Sequence, residues 1–235
     1  MRLSLIILIL IAPLLVFAQS GTVTGKITHA ETGVALPRAS VFLTETSYGT
    51  STNNDGVFTL KDVKPGKYQL IVTMVGFEEH SQDVTVGTNI TSINISLKPR
   101  ITNLKEVNIS IPKDWARNYK LFVKRFIGTS SYGRKCRILN SEVLNLGYNK
   151  EDGAVIASSD DFILMENRAL GYMVRILLTK SYLAETHGSW HGSFYFEELP
   201  GTPDEVKKWK ANRARLLQNA RTIKASEKLP SDFGQ

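Results

Sequence analysis

Residues 50–60 read TSTNNDGVFTL, and two folds compete for them. In a helix–loop–helix calcium site Gly56 is the sixth loop position. Ser51, Asn53 and Asp55 are then the earlier ligands, and Asp62 is the twelfth position. Of those first three residues only Asp55 is a carboxylate. The twelfth position holds Asp where Glu is expected. Residues 57–60 alternate as a strand, and no helical pattern precedes the loop. A hairpin turn accounts for the same residues, with Gly56 after Asp55 where the chain needs a positive φ.

The neighbouring residues follow the same period. Ala39, Val41 and Leu43 fall on one face of a strand, Phe58 and Leu60 on another, and Tyr68, Leu70, Val72 and Met74 on a third. Val23 and Ile27 precede them, around Gly25. Val84 and Val86 follow, and then Ile93, Ile95 and Leu97. Between them lie Gly33, Pro37, Pro65 and Gly66, which are turn residues. Alternation of period two with regular turns predicts an antiparallel sandwich over residues 21–98. A single sheet with one apolar face cannot bury it alone, so two must stack.

The chain opens MRLSLIILILIAPLLVFAQS. Arg2 precedes an uncharged apolar run, Leu3–Phe17, that is short of the ~20 residues of a membrane span. Val16 and Ala18 stand at the small-residue positions of a signal-peptidase site. Residues 1–18 therefore read as a secretory signal peptide, with Gln19 as the new N-terminus, and the protein as exported to the periplasm or the outer-membrane surface. The remaining 217 of 235 residues suffice for one large or two small domains and too few for an outer-membrane barrel beside one. No transmembrane helix is expected after cleavage. The net charge of +7 points to anionic envelope surfaces or polysaccharide before nucleic acid. Cys136 is the one cysteine, so no internal disulfide forms, and its place in KCRIL suggests a buried strand residue.

In GKITHAETGVALPRASVFLTETSYGTSTNNDGVFTL and onward to Val86, Gly25, Thr32, Gly33, Leu36, Pro37, Ala39, Val41, Gly49, Thr50, Thr52, Asp55, Gly56, Phe58, Leu60, Pro65, Gly66, Gly76 and Phe77 fall in an order that closely resembles the carboxypeptidase regulatory-like domain. The resemblance implies a transthyretin-like sandwich over residues 19–98. That fold occurs on many exported proteins of Bacteroidetes-type bacteria and before the plug of some TonB-dependent transporters. It implies a binding or folding-assistance role and no peptidase activity, because in the parent peptidases the module carries no catalytic zinc ligands.

Residues 99–112 read as a linker or last strand, with Val107, Ile109 and Ile111 alternating. Beyond them the period changes. Trp115, Tyr119, Phe122 and Phe126 share one helical face, Asp114 stands near its start and Gly128 at its end. This face fits a helix packed on a sheet better than a ligand platform. The segments CRIL, VIAS, FILMEN, GYMVRILL and GSFYFEEL read as strands. Thr202, Pro203 and Glu205 then form a helix start with a capping box. Residues 113–235 are accordingly expected to form a smaller α+β domain, helix–sheet–helix. Trp115, Phe126, Gly128, Cys136, Asn140, Glu166, Asn167, Leu170, Gly171, Tyr172, Phe194, Trp209 and Arg213 resemble the region that follows the regulatory-like domain in uncharacterised Bacteroidetes exported proteins. Those relatives continue past the Trp–Arg helix differently from the ending of this chain.

Side chains that suggest chemistry are few. His187 and His191 are four apart but lack the Glu of a metalloprotease helix, and their glycines favour a hairpin. Asp160 and Asp161 are adjacent and would point apart in a strand. No nucleophile elbow or phosphate loop occurs. Asn89, Asn94 and Asn108 open sequons that alternating Thr- and Ser-rich strands produce by chance. Glu166, Asn167 and Arg175 form the candidate polar cluster, with Arg175 the expected partner of Glu166. No catalytic residue, metal ligand or cofactor is assigned. The reading is a non-enzymatic binding or scaffolding protein of the bacterial cell envelope whose partner is an envelope protein or polysaccharide. An envelope hydrolase with its site in residues 112–235, acting on peptide or glycan, and an accessory of a TonB-dependent uptake system stay open.

Overall fold

The computed structural model describes residues 20–100 and 114–227. The expected signal peptide, all but the first two residues of the expected 99–112 linker or last strand, and the last eight residues lie outside them. The chain divides into two compact units, the first running to residue 101 without residues 44–47, the second made of those four and everything after, and the larger in residues.

The first unit is a sandwich. One sheet has the order β4 (Val57–Val63), β1 (Gly21–His29), β7 (Ile90–Ser92), with β8 (Ile95–Leu97) also pairing β1. The other has the order β3 (Gly49–Ser51), β2 (Ser40–Leu43), β5 (Gly66–Thr73), β6 (His80–Val86). Val23, Ile27, Phe58 and Leu60 of the first sheet meet Val41, Leu43, Leu70, Val72, Val84 and Val86 of the second in one core. Each such side chain removed from water contributes about 1.5–3 kcal/mol.

The alternation located the core but not every pairing. β1 pairs with β4 antiparallel, yet with β7 and β8 in parallel, because the chain returns from β6 to run alongside β1 in its own direction. Ile93–Leu97 is not one strand either. The chain steps between β7 and β8, and the Asn94 side-chain oxygen accepts the Lys26 N–H at 2.9 Å in place of a ladder bond. Gly25 permits the step: a Cβ there would lie 1.7 Å from the Ile93 carbonyl oxygen.

The TSTNNDG stretch is a turn, though not a hairpin. It carries the chain from β3 in one sheet to β4 in the other. Buried Thr52 pins it: its Oγ1 donates to the Leu36 carbonyl at 2.6 Å and accepts the Ala39 N–H at 2.8 Å. The Asn53 side-chain oxygen accepts the N–H groups of Asp55 and Val57 at 3.0 and 2.9 Å. Gly56 has φ +74°, and its carbonyl accepts the Ile27 N–H at 2.8 Å. The oxygen that a metal would need at position 53 is turned inward onto the loop's own amides.

The second unit is an antiparallel sheet preceded and followed in the chain by a helix. Its order is β10 (Leu144–Tyr148), β11 (Val155–Ser159), β13 (Tyr172–Leu183), β12 (Ile163–Asn167), β9 (Cys136–Ile138), with β14 (Gly188–Glu198) along the other side of β13. Helix α1 (Trp115–Phe122) lays Phe122, fully buried, into a core with Val155, Ala157, Ile163, Val174, Ile176 and Leu178. A single π turn, Val123–Ile127, follows and stops at Gly128, whose φ is +81°. The aromatic face holds together as stacked pairs, Trp115 on Tyr119 at 5.0 Å and Phe122 on Phe126 at 4.9 Å between centroids. Helix α2 (Pro203–Glu227) begins with the expected capping box. The Glu205 carboxylate accepts the Thr202 N–H at 2.8 Å, and the Thr202 hydroxyl receives the Glu205 N–H at 3.4 Å.

Candidate functional site

The densest polar arrangement among the described residues surrounds the turn between β12 and β13. Asn167 ends β12 and closes the turn on itself. Its side-chain oxygen accepts the N–H groups of Ala169 and Leu170, both at 3.1 Å, and its carbonyl accepts that of Gly171 at 2.8 Å. This spends the turn's amides and leaves its carbonyls outward. Helix α2 takes them. Trp209 Nε1 donates to the Arg168 carbonyl at 2.9 Å, Asn212 Nδ2 to Ala169 at 2.8 Å, and Arg213 to Leu170 and Gly171 at 2.7 and 3.2 Å. Residues 209, 212 and 213 share a helix face by their spacing. Arg213 also donates to Glu198 at 2.6 Å and lies 3.8 Å from the Tyr172 ring centroid. The indole of Trp209 fits because two glycines flank it: a Cβ at Gly171 would come within 2.2 Å of the ring, and one at Gly201 within 2.4 Å.

Glu166, one residue before the turn, is 8 % exposed. Its carboxylate receives Arg168 at 3.0 Å and Arg137 at 3.3 Å. The hydrogen bond from Arg168 and then the two positive charges hold its carboxyl below the ordinary carboxylate range, against the opposing effect of burial. Arg175 is not its partner. It pairs with Glu197 at 2.8 Å. The register explains this: Arg137 of β9 stands directly opposite Glu166, whereas Met173 faces Glu166 across β13 and Arg175 faces Leu164. A directly opposed pair is closer than a diagonal one. Of the three expected cluster residues, Glu166 and Asn167 meet at the turn and Arg175 belongs to another ion pair.

Between this turn and the start of α2 lies a cleft of about 270 Å³. Its charged walls are Lys135, Arg168 and Lys208 against Glu166 and Glu205, and Leu199 and Pro200 close one side. The sequence singled out Trp209 and Arg213 only as resemblance positions. Their spacing one turn past a capping box was the available signal, but the carbonyls they hold are some forty residues away in the chain.

The other candidates do not converge. His187 lies in the β13–β14 turn and His191 on β14 opposite Lys180. Asp160 accepts Asn145 Nδ2, while Asp161 accepts the Phe162 N–H. The Asp62 carboxylate accepts the Ser20 hydroxyl at 3.4 Å. Cys136 begins β9, half-buried, and burial pushes its thiol up. Among the described residues no group of three or more His, Cys, Asp or Glu is placed to hold a metal ion, and no helix is long and apolar enough to cross a membrane. A second cleft, about 450 Å³, borders Lys124, Glu185 and His187. The Arg125 guanidinium beside it is spent on the Gly153 and Leu183 carbonyls at 2.7 and 2.8 Å.

A β-sandwich with inward-folded corners and a separate sheet clamped by helix α2 defines a modular protein. Residues 23–109 match the family model of the CarboxypepD_reg-like domain, so the chain carries a carboxypeptidase regulatory-like domain there. No curated protein matches. Solved structures similar to parts of the chain include a type II cohesin–X-dockerin complex of Acetivibrio cellulolyticus, with 21 % identity over 32 % of this chain and 52 % of that one and a TM-score of 0.29. The pilus 2b backbone protein of group B streptococcus gives 18 % identity over 35 % and 42 %, TM-score 0.31. BcpA, the major pilin subunit of Bacillus cereus, gives 11 % over 35 % and 31 %, TM-score 0.31. The chain spans about half or less of each of these structures, and no functional reading rests on them.

Proposed function

We propose that this chain is an exported, non-enzymatic binding or scaffolding protein of a bacterial cell envelope. The observation that carries the reading is how the polar side chains are used. Thr52 and Asn53 in the first unit, and Asn167, Trp209, Asn212 and Arg213 in the second, spend their hydrogen bonds on main-chain groups. Such bonds fix turns and present rigid surfaces. An enzyme instead aims its polar groups at a reacting atom. The regulatory-like domain supports the same reading as a module without catalytic equipment, and the apolar run at residues 3–17 supports export.

The test has two arms. Expression of the full gene with fractionation is expected to place a protein starting at Gln19 in the envelope fraction. The purified protein, with and without added zinc, is expected to turn over neither peptides nor envelope glycans while retaining an envelope component on affinity capture. Turnover that survives repurification overturns the reading in favour of a hydrolase. Capture of an outer-membrane transporter narrows it to an uptake accessory.

A further inference from the structure

We infer that the cleft beside the β12–β13 turn binds an acidic sugar, a hexuronate unit of an anionic polysaccharide. The inference rests on the binding role proposed above and names its ligand class. Four cations border Glu166 and the cleft, Lys135, Arg137, Arg168 and Lys208, against two carboxylates, Glu166 and Glu205. Glu166 is already shared by two guanidiniums. Lys135 and Lys208 enter none of the ion pairs among the described residues. The positive surplus therefore faces open space rather than an internal partner. Lysine is the suited residue for such a role, since its ammonium remains hydrated and free to swing onto an incoming charge.

Charge alone would admit any anion; the acceptors decide between them. In Glu166 and Glu205 one carboxylate oxygen holds the protein's own donors, Arg137 and Arg168 in one case and Thr202 in the other. The second oxygen of each takes no hydrogen bond among the described residues. A ligand that brings only negative charge, such as an acidic peptide side chain or a phosphate, meets those oxygens with repulsion. A uronate brings one carboxylate for the lysines and ring hydroxyls that donate to the free carboxylate oxygens. The Leu199–Pro200 wall supplies an apolar surface for the C–H face of the ring. The volume, about 270 Å³, lies just below the roughly 300 Å³ at which pockets begin to take drug-sized ligands, which is room for one ring with the polymer continuing outside.

The experiment is calorimetric titration of the purified full chain with trigalacturonate, its methyl-esterified neutral form and a short oligoglutamate. Saturable binding of trigalacturonate is expected, weakened by added salt, with loss of at least about tenfold in affinity for the methyl ester and for the Lys135→Gln/Lys208→Gln double variant. Both lysines are exposed, and circular dichroism checks that the variant keeps its fold. Equal affinity for the acid and the ester, absence of saturation by trigalacturonate, or unchanged binding by the double variant overturns the inference. Preferential binding of oligoglutamate also overturns it and makes the cleft a peptide site. The broader role fails separately: capture of a neutral glycan or an envelope protein unaffected by the double variant preserves it, and turnover does not.

Discussion

A steric test of the α2 clamp is Gly171→Ala. Gly171 has φ +69°, a conformation that costs an L-residue about 1–2 kcal/mol. Its added Cβ would stand 2.2 Å from two ring atoms of Trp209, and Trp209 cannot retreat freely because Gly201 backs its far edge so closely that a Cβ there would lie 2.4 Å from the ring. Overpacking of this kind costs about 1–3 kcal/mol, giving a total of about 2–5 kcal/mol. Gly153→Ala is the control. It has the same φ of about +70°, at +71°, but its Cβ would meet only a tyrosine hydroxyl, that of Tyr148, at 3.2 Å, so about 1–2 kcal/mol is expected. The assay is urea unfolding followed by tryptophan fluorescence. Trp115, Trp190 and Trp209 are the only tryptophans and all lie in the second unit, so the signal reports that unit alone. With a slope of ~1–3 kcal/mol per molar urea, Gly171→Ala should lower the midpoint by roughly 1–3 M and Gly153→Ala by about half as much. Equal midpoints for the two variants, or a Gly171→Ala loss under about 1 kcal/mol, would refute the argument that the glycine exists to admit the indole.

Three further outcomes follow from the geometry. Thr52→Val, which keeps shape but strands the Leu36 carbonyl and the Ala39 N–H, should destabilise the first unit by about 1–3 kcal/mol in thermal circular dichroism, and Thr52→Ser by much less. The Glu166 carboxyl is lowered in the folded state, first by its hydrogen bond from Arg168, so its contribution is complete above its unfolded pKa and disappears as pH falls through the lowered one. The stability gap between wild type and Glu166→Gln should thus hold from pH 8 to about pH 5 and close below about pH 4; a gap unchanged at pH 2 contradicts the ion triad. Burial pushes Tyr195 up to about 12. The stability linked to its neutral form is complete below about pH 10 and is lost as pH rises from there through about 12. The absorbance lost at 295 nm in Tyr195→Phe should come from the last phenol to ionise, and a difference curve centred near pH 10 speaks against it.

What the sequence disclosed was local. The capping box at Thr202 and Glu205 is a four-residue device, and it formed as read. The alternating cores of β2, β4, β5 and β6 were visible for the same reason, since period two needs only neighbours. Pairings across long separations were hidden. Nothing in Ile93–Leu97 announces that β1 lies beside it in parallel. Strand β10 went unseen because LNLGY ends in Gly147 and an exposed tyrosine and is a strand through its edge pairing with β11. Glu166 was legible as a polar residue in need of a cation, but which cation depended on the register of β9, a three-residue strand. The carbonyl clamp of α2 was illegible in principle: its recognised partners are main-chain oxygens, which every residue of the turn possesses alike.

Strand β1 is the earliest part of the described chain and has neighbours on both sides, β4 on one and β7 and β8 on the other. Its second flank is supplied by residues 90–97, the last two strands described in the first unit. A chain growing from its N-terminus must therefore carry β1 half-zipped, its bare edge able to recruit stray strands, until some seventy further residues have been made. Joining such distant partners comes late and slowly. Of the described strands the first to emerge is the last to be sealed, and any nascent piece ending before Ile90 is a sheet with an open seam.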